Sequence, residues 1–255
     1  MLTALCVVPI CSIRAEPSHQ SEMTSQLLFG EGVELLASVD DWVNVRSIYD
    51  DFEGWCTMNQ LSVTDISIVR SPVMPLVSTW QGVVMVNDVP MHVPLGSAIP
   101  GLQNGEARWG KLQIKSSSKL IAEGSVTGDD DFLRQLSFQY LNTAYLWGGR
   151  SIYGTDCSGF VQVVYRFFGR KLPRNASSQV HEGQTVDFLQ EARCGDLAFF
   201  NDGEGNIIHV GMLLNDHEII HAAGKVRIDH IDTAGIVNSE SGMRTHSLRI
   251  IKRLF

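Results

Sequence analysis

No apolar run in the 255 residues approaches the ~18–20 needed to span a bilayer as a helix, so the sequence offers no membrane-crossing segment of that kind. Basic residues are outnumbered, 20 Lys and Arg against 28 Asp and Glu, for a net charge of −8. That balance argues against a nucleic-acid binder that works by neutralising phosphates. Cysteine is sparse. The five thiols, at 6, 11, 56, 157 and 194, are an odd number with no CxxC pair, which excludes a zinc-finger spacing and a disulfide framework. Reduced thiols fit a cytoplasmic setting; a periplasmic or secreted one is the alternative if a signal was removed. A signal peptide is the rival reading of apolar residues 1–13, but they lack a basic start and a small-residue cleavage site, so Val7, Val8, Pro9 and Ile10 are expected to form a first strand. At 44% apolar and 19% charged, the chain reads as an ordinary globular protein, and a monomer is expected.

The first half is β-rich. Residues 25–30 and 33–37 are short apolar runs, and residues 42–46 and 54–58 alternate with the period of a half-buried strand. Turn residues at Gly30, Gly32, Asp40, Asp41, Asp50 and Asp51 separate them, which predicts a small barrel over 1–65. Residues 80–86, 91–94 and 107–114 carry strand signals for a second small barrel over 66–123, with one irregular β domain across both stretches as the alternative. From Asp130 the pattern turns helical, with Phe132, Leu133, Leu136 and Tyr140 at three-to-four spacing. A second helix is predicted from Cys157 to Phe168, and strands at 197–200, 207–214, 218–221, 226–228 and 248–251 follow. Helices before antiparallel strands describe an α+β domain over 124–255.

Cys157 sits in the predicted first turn of its helix, with Thr155 or Asp156 as the cap. The helix terminus is expected to lower the thiol pKa, and the charge of Asp156 partly opposes it. An inert buried thiol is the competing reading of this cysteine taken alone. Its candidate partners are His209, in an otherwise apolar run, and His221, at the end of another. A hairpin centred on Asn215 would place the two histidines directly opposite each other, with Cβ atoms about 4.5–5.5 Å apart. In that geometry His209 takes the thiol proton and His221 fixes its ring. A Cys/His/His set also matches zinc ligand types, but the spacing resembles no compact zinc motif, and neither metal nor cofactor is expected.

The strings Tyr145-x-Trp147-Gly-Gly, Asp156-Cys157-Ser158-Gly-Phe, Gly195-Asp-Leu-x-Phe-Phe, His209-Val-Gly and His221-Ala together resemble the NlpC family of bacterial cell-wall cysteine peptidases. The resemblance covers about residues 128–255 and implies a papain-like α+β core. It implies Cys157 as nucleophile, His209 as base, His221 as orienting residue and Tyr145 as an oxyanion donor with the Cys157 amide. Residues 14–17, 21–31 and 53–55 look like the SH3-like modules that precede such domains. This arrangement resembles the γ-D-glutamyl-L-diamino-acid endopeptidases, implying murein tri- or tetrapeptide substrates with a free N-terminal L-Ala. By the same resemblance Asp156, Ser158, Trp147, Arg174, Ser177 and Glu22 contact substrate. The sequence departs from that pattern at Asn175, where Asp is frequent, and at Phe52, where Tyr is frequent. A hydrolase of intact peptidoglycan and a non-catalytic wall-binding protein are the alternatives.

Overall fold

The computed structural model describes residues 2–255. Seven short strands between Leu2 and Val63 form one antiparallel sheet. In spatial order they are Met23–Leu28, Ile10–Arg14, Glu53–Thr57, Trp42–Ser47, Gly32–Val39, Leu2–Cys6 and Leu61–Val63. Burial alternates along Trp42–Ser47 and Ile10–Arg14, as the period of two requires, and Cys11, Ile13, Val43, Val45 and Cys56 face a common core. The first strand is Leu2–Cys6, so the expected strand at residues 7–10 is corrected. Pro9 has no N–H for a ladder, and residues 7–9 bend between two strands instead.

A four-residue helix, α1 (Ile66–Val69), is capped by Asp65, whose carboxylate accepts the Ser67 amide at 2.8 Å. Beyond it lies a four-stranded antiparallel sheet, in the order Val89–Pro94, Gln81–Val86, Leu112–Ser116 and Glu106–Trp109, beside the pair Pro75–Val77 and Leu120–Ala122. The single strand expected over 107–114 is two strands. Gly110 turns the chain between them at φ +58°, a conformation open to glycine at little cost. Trp109 is fully buried, donates its Nε1–H to the Pro100 carbonyl at 2.9 Å and packs on Phe29, with ring centroids 5.0 Å apart. Leu5, Phe29 and Val69 thus share one core with Val77, Val84 and Trp109. The two β regions are fused through that core.

The C-terminal part is α+β. Helix α2 (Asp130–Phe138) is capped by Asp129, and α3 (Cys157–Arg166) is buried along its whole length. Helix α4 (Ala176–Gln179) is a single turn. Six strands, Leu197–Asn201, Ile207–Leu213, Glu218–Ala223, Lys225–Asp232, Gly235–Val237 and Arg244–Arg253, pair in sequence and close when the last returns to the first and the fifth. Gln184–Val186 adds to the outside of the last strand. Phe160, Val161, Val164 and Tyr165 of α3 pack with Phe199, Val210, Met212 and Ile220 in one cluster. Each such buried side chain contributes about 1.5–3 kcal/mol, which fixes α3 against the barrel wall that carries the histidines. Among the described residues no helix is long and apolar enough to cross a membrane, and all five cysteines are buried and free.

Candidate active site

Asp156 has extended backbone geometry and caps α3: its Oδ1 accepts the Gly159 amide at 2.7 Å and its carbonyl accepts the Phe160 amide at 3.0 Å. Cys157 is therefore the first residue of the helix, where backbone N–H groups lack helical partners. The amides of Ser158 and Val210 act to lower the pKa of its thiol. Burial nevertheless pushes the thiol up to about 11, with the Asp156 charge adding to it; the two amides and Arg174 pull the other way and lose. The expectation of a lowered thiol pKa is corrected on that ground. One helix end does not offset the removal of water from a residue that is only 7% exposed.

His209 and His221 lie on neighbouring strands, but the register differs from the one expected. Gly211, not His209, stands opposite His221, because the turn is centred on Asp216. Asn215 sets this turn: its Oδ1 accepts the His217 and Glu218 amides at 2.9 and 2.8 Å. A displacement of two residues keeps both histidines on one face as diagonal neighbours, still within reach of aromatic side chains. Their rings meet, with His209 Nε2 and His221 Nδ1 2.9 Å apart.

The line continues to a residue the sequence reading passed over. His221 Nε2 lies 3.0 Å from Asp229 Oδ2, and Asp229 is buried. Its Oδ1 accepts the Ser239 amide at 2.9 Å, and Arg227 Nε lies 2.9 Å from Oδ2. Burial alone would raise the Asp229 pKa, but the bonds from His221 and Ser239 and the ion pair with Arg227 outweigh it and hold the carboxyl well below the usual range. An ionised carboxylate only accepts, so His221 carries its proton on Nε2 and offers a lone pair at Nδ1. His209 then donates from Nε2, and its Nδ1 remains free to accept. Burial, with His221 and His246 adjacent, lowers the His209 pKa well below 6.5. This arrangement can take a proton from a neighbouring thiol and deliver it to a leaving amine. Asp229 lies just past the strand expected to end at Ile228; the visible signal was an acidic residue in a run of alternating apolar positions.

His246 was missed as well. It stacks on His209 with centroids 4.2 Å apart at 25°, and its pKa is lowered to about 4 by burial and then by His221.

The remaining predicted residues fall into two groups. Asp156, Ser158 and Arg174 form a buried network: Arg174 Nη1 donates to Asp156 Oδ1 and to Ser158 Oγ at 3.0 Å each, and its Nε donates to Ser25 Oγ at 3.0 Å. Tyr145, Trp147 and Glu22 stand at the rim. The Tyr145 hydroxyl is pushed up to about 12 by burial and then by the Cys157 charge. Trp147 is 61% exposed and donates its Nε1–H to the Glu22 carboxylate of the first module at 2.5 Å. Gly148, at φ +76°, lies so near that module that a Cβ would sit 2.4 Å from the Met23 carbonyl oxygen. Ser177 stands apart, exposed on α4, and its hydroxyl bonds no other described residue.

Beneath this rim Glu31 of the first module bonds two buried arginines, Arg150 at 2.7 and 3.1 Å and Arg166 at 2.7 Å. Gln26 accepts the Arg150 amide on its side-chain oxygen at 2.9 Å.

Both the N-terminal and the C-terminal part of the chain resemble known proteins. The model of the NlpC/P60 family matches residues 142–244, and that of the bacterial dipeptidyl-peptidase SH3 domain matches residues 13–61. The γ-D-glutamyl-L-lysine dipeptidyl-peptidase of Bacillus cereus is 25% identical over 90% of this chain and 77% of its own. The Bacillus subtilis protein of that name is 28% identical over 78% and 71%. A crystal structure of an NlpC/P60 family protein from Bacillus cereus superposes with a TM-score of 0.82, covering 99% of both chains at 20% identity, a likeness of fold. Residues 142–244 are an NlpC/P60 domain, joined here to an N-terminal SH3 domain of the bacterial dipeptidyl-peptidase kind.

Proposed function

We propose that this chain is a cysteine endopeptidase that hydrolyses the bond between γ-D-Glu and the diamino acid in murein peptides with a free N-terminal L-Ala. The observation that carries the reading is the hydrogen-bonded line from His209 through His221 to Asp229, held on the barrel wall against which the helix begun by Cys157 packs. Thiol and imidazole both rest neutral, so His209 Nδ1 removes the thiol proton as Cys157 attacks the γ-carbonyl. The imidazolium formed is stabilised through His221 by the Asp229 charge. It then protonates the departing amine, and water resolves the acyl-enzyme by the same route. The Cys157 amide and the Tyr145 hydroxyl are the donors for the oxyanion, an interaction type that supplies a few kcal/mol.

Glu22 is the proposed partner of the substrate ammonium. It stands at the rim against Trp147, and a carboxylate there fixes the cut two residues from the amine. Ser158 and Ser177 are proposed as further contacts. Asp156 and Arg174 act by holding Ser158 and the end of α3, since each is already bonded within the protein. The relatives named γ-D-glutamyl-L-lysine dipeptidyl-peptidase support this substrate class.

Mass spectrometry of L-Ala-γ-D-Glu-meso-diaminopimelate after incubation with wild type and Cys157→Ala tests the reading. Release of L-Ala-γ-D-Glu by wild type alone is expected, together with no turnover of the N-acetylated peptide. Equal turnover of the capped peptide removes the ammonium subsite, and activity on intact sacculi alone assigns the enzyme to polymeric peptidoglycan.

A further inference from the structure

His246 is unused by the reaction just described, yet it brings a third imidazole to the His209–His221 pair. Ligand nitrogens of the three residues all lie within 4.8 Å of one another. Three imidazoles form a recurrent ligand set for zinc, with metal–nitrogen distances of about 2.0–2.1 Å. Two of the three, His209 and His221, are buried, and His246 is partly exposed, so a cation has a solvent side from which to enter. The outer support such a site needs is already in place. Asp229 accepts from His221 Nε2, which leaves Nδ1 as the electron-pair donor facing the cluster, and the Ser239 amide fixes Asp229 in turn. A carboxylate behind a ligating histidine orients the ring and raises its basicity.

We propose that His209, His221 and His246 form an inhibitory site for a divalent transition cation of the zinc class. The cation takes the Nε2 lone pair of His209 once that ring's proton has moved from Nε2 to Nδ1. No proton is gained or lost; the ring changes tautomer. Its Nδ1 then carries hydrogen and no longer accepts from a thiol, so the base is withdrawn while metal is bound and returns when metal leaves. His246 turns out of its stack on His209 to complete the set, a movement its partial exposure permits. The inhibitory outcome rests on the role proposed above for His209, whereas the binding itself does not.

Titration of the full chain with Co2+, followed by visible absorption, and with Zn2+, followed by calorimetry, separates the two. One saturable site per chain is expected, with the absorption of a nitrogen-ligated tetrahedral cobalt. His246→Phe, which keeps an aromatic stack, and His246→Gln are each expected to weaken binding more than tenfold. Asp229→Asn is expected to weaken it by roughly 10–100-fold. Peptide cleavage by wild type falls with site occupancy and recovers on chelation. Absence of a one-to-one site, or equal binding by wild type and both His246 variants, overturns the proposal. Binding without inhibition overturns the inhibitory role and points at the assignment of His209 as base.

Discussion

Cys157 and His209 are each driven toward the uncharged form by the same cause, removal of water, so the pair rests as thiol and imidazole rather than as an ion pair. This sets the sign of a pH dependence. With the thiol pKa pushed up to about 11, the thiolate fraction of the free protein rises about tenfold per pH unit through neutrality. Alkylation of Cys157 by iodoacetamide without substrate is expected to climb in that way from pH 6 to 9, measured as labelled peptide. A rate that stays flat over that range contradicts the neutral pair. Asp229→Asn makes a sharper demand on the histidine line. An amide nitrogen facing His221 Nε2 favours the tautomer with hydrogen on Nδ1, which sets donor against donor at the 2.9 Å contact with His209. A fall in kcat of roughly 10²–10⁴-fold is expected with KM little changed, from steady-state peptide hydrolysis.

The hairpin that carries the two histidines shows what one element contributes beyond its residues. Gly211 faces His221 across the ladder, and a Cβ there would lie 2.9 Å from His221 Cβ and 2.6 Å from Ile219 Cδ1. Its backbone is ordinary, so the glycine is there for space. Gly211→Ala is expected to displace the His221 ring and to cost about 10²-fold in kcat while far-ultraviolet circular dichroism stays unchanged. Sequence pattern made the two strands and their shared face legible, because alternation survives a displacement of two. It did not reveal the register, since the Asx geometry of Asn215 decides that locally. Nor did it reveal His246, which the barrel brings in from a strand 25 residues beyond His221 in the chain.

Across the whole molecule, the order of strands first and helices with strands afterwards was legible because turn residues punctuate the chain. Strands end at Val63 and resume at Pro75, and α2 begins at Asp130 after the strand that ends at Ala122. Their fusion was not legible. Periodicity says that Leu5, Phe29 and Trp109 are buried without saying which region they are buried against. The joint between the first module and the C-terminal part is ionic, with Glu31, Arg150 and Arg166 all nearly sealed from solvent. Glu31→Gln leaves two guanidinium groups short of a counter-charge, and a loss of about 3–5 kcal/mol is expected in urea denaturation. An unchanged midpoint would mean that water or Glu123 compensates.

That joint also bears on how such chains recombine. Glu31, Gln26 and Glu22 reach from the first module into the loop before α3 and to Arg166 within it. A gene rearrangement that exchanged this module for another would remove the charge partner of two arginines in the C-terminal part, along with the Glu22 bond to Trp147. A foreign module could replace this one only if it brought its own acid to the place of Glu31.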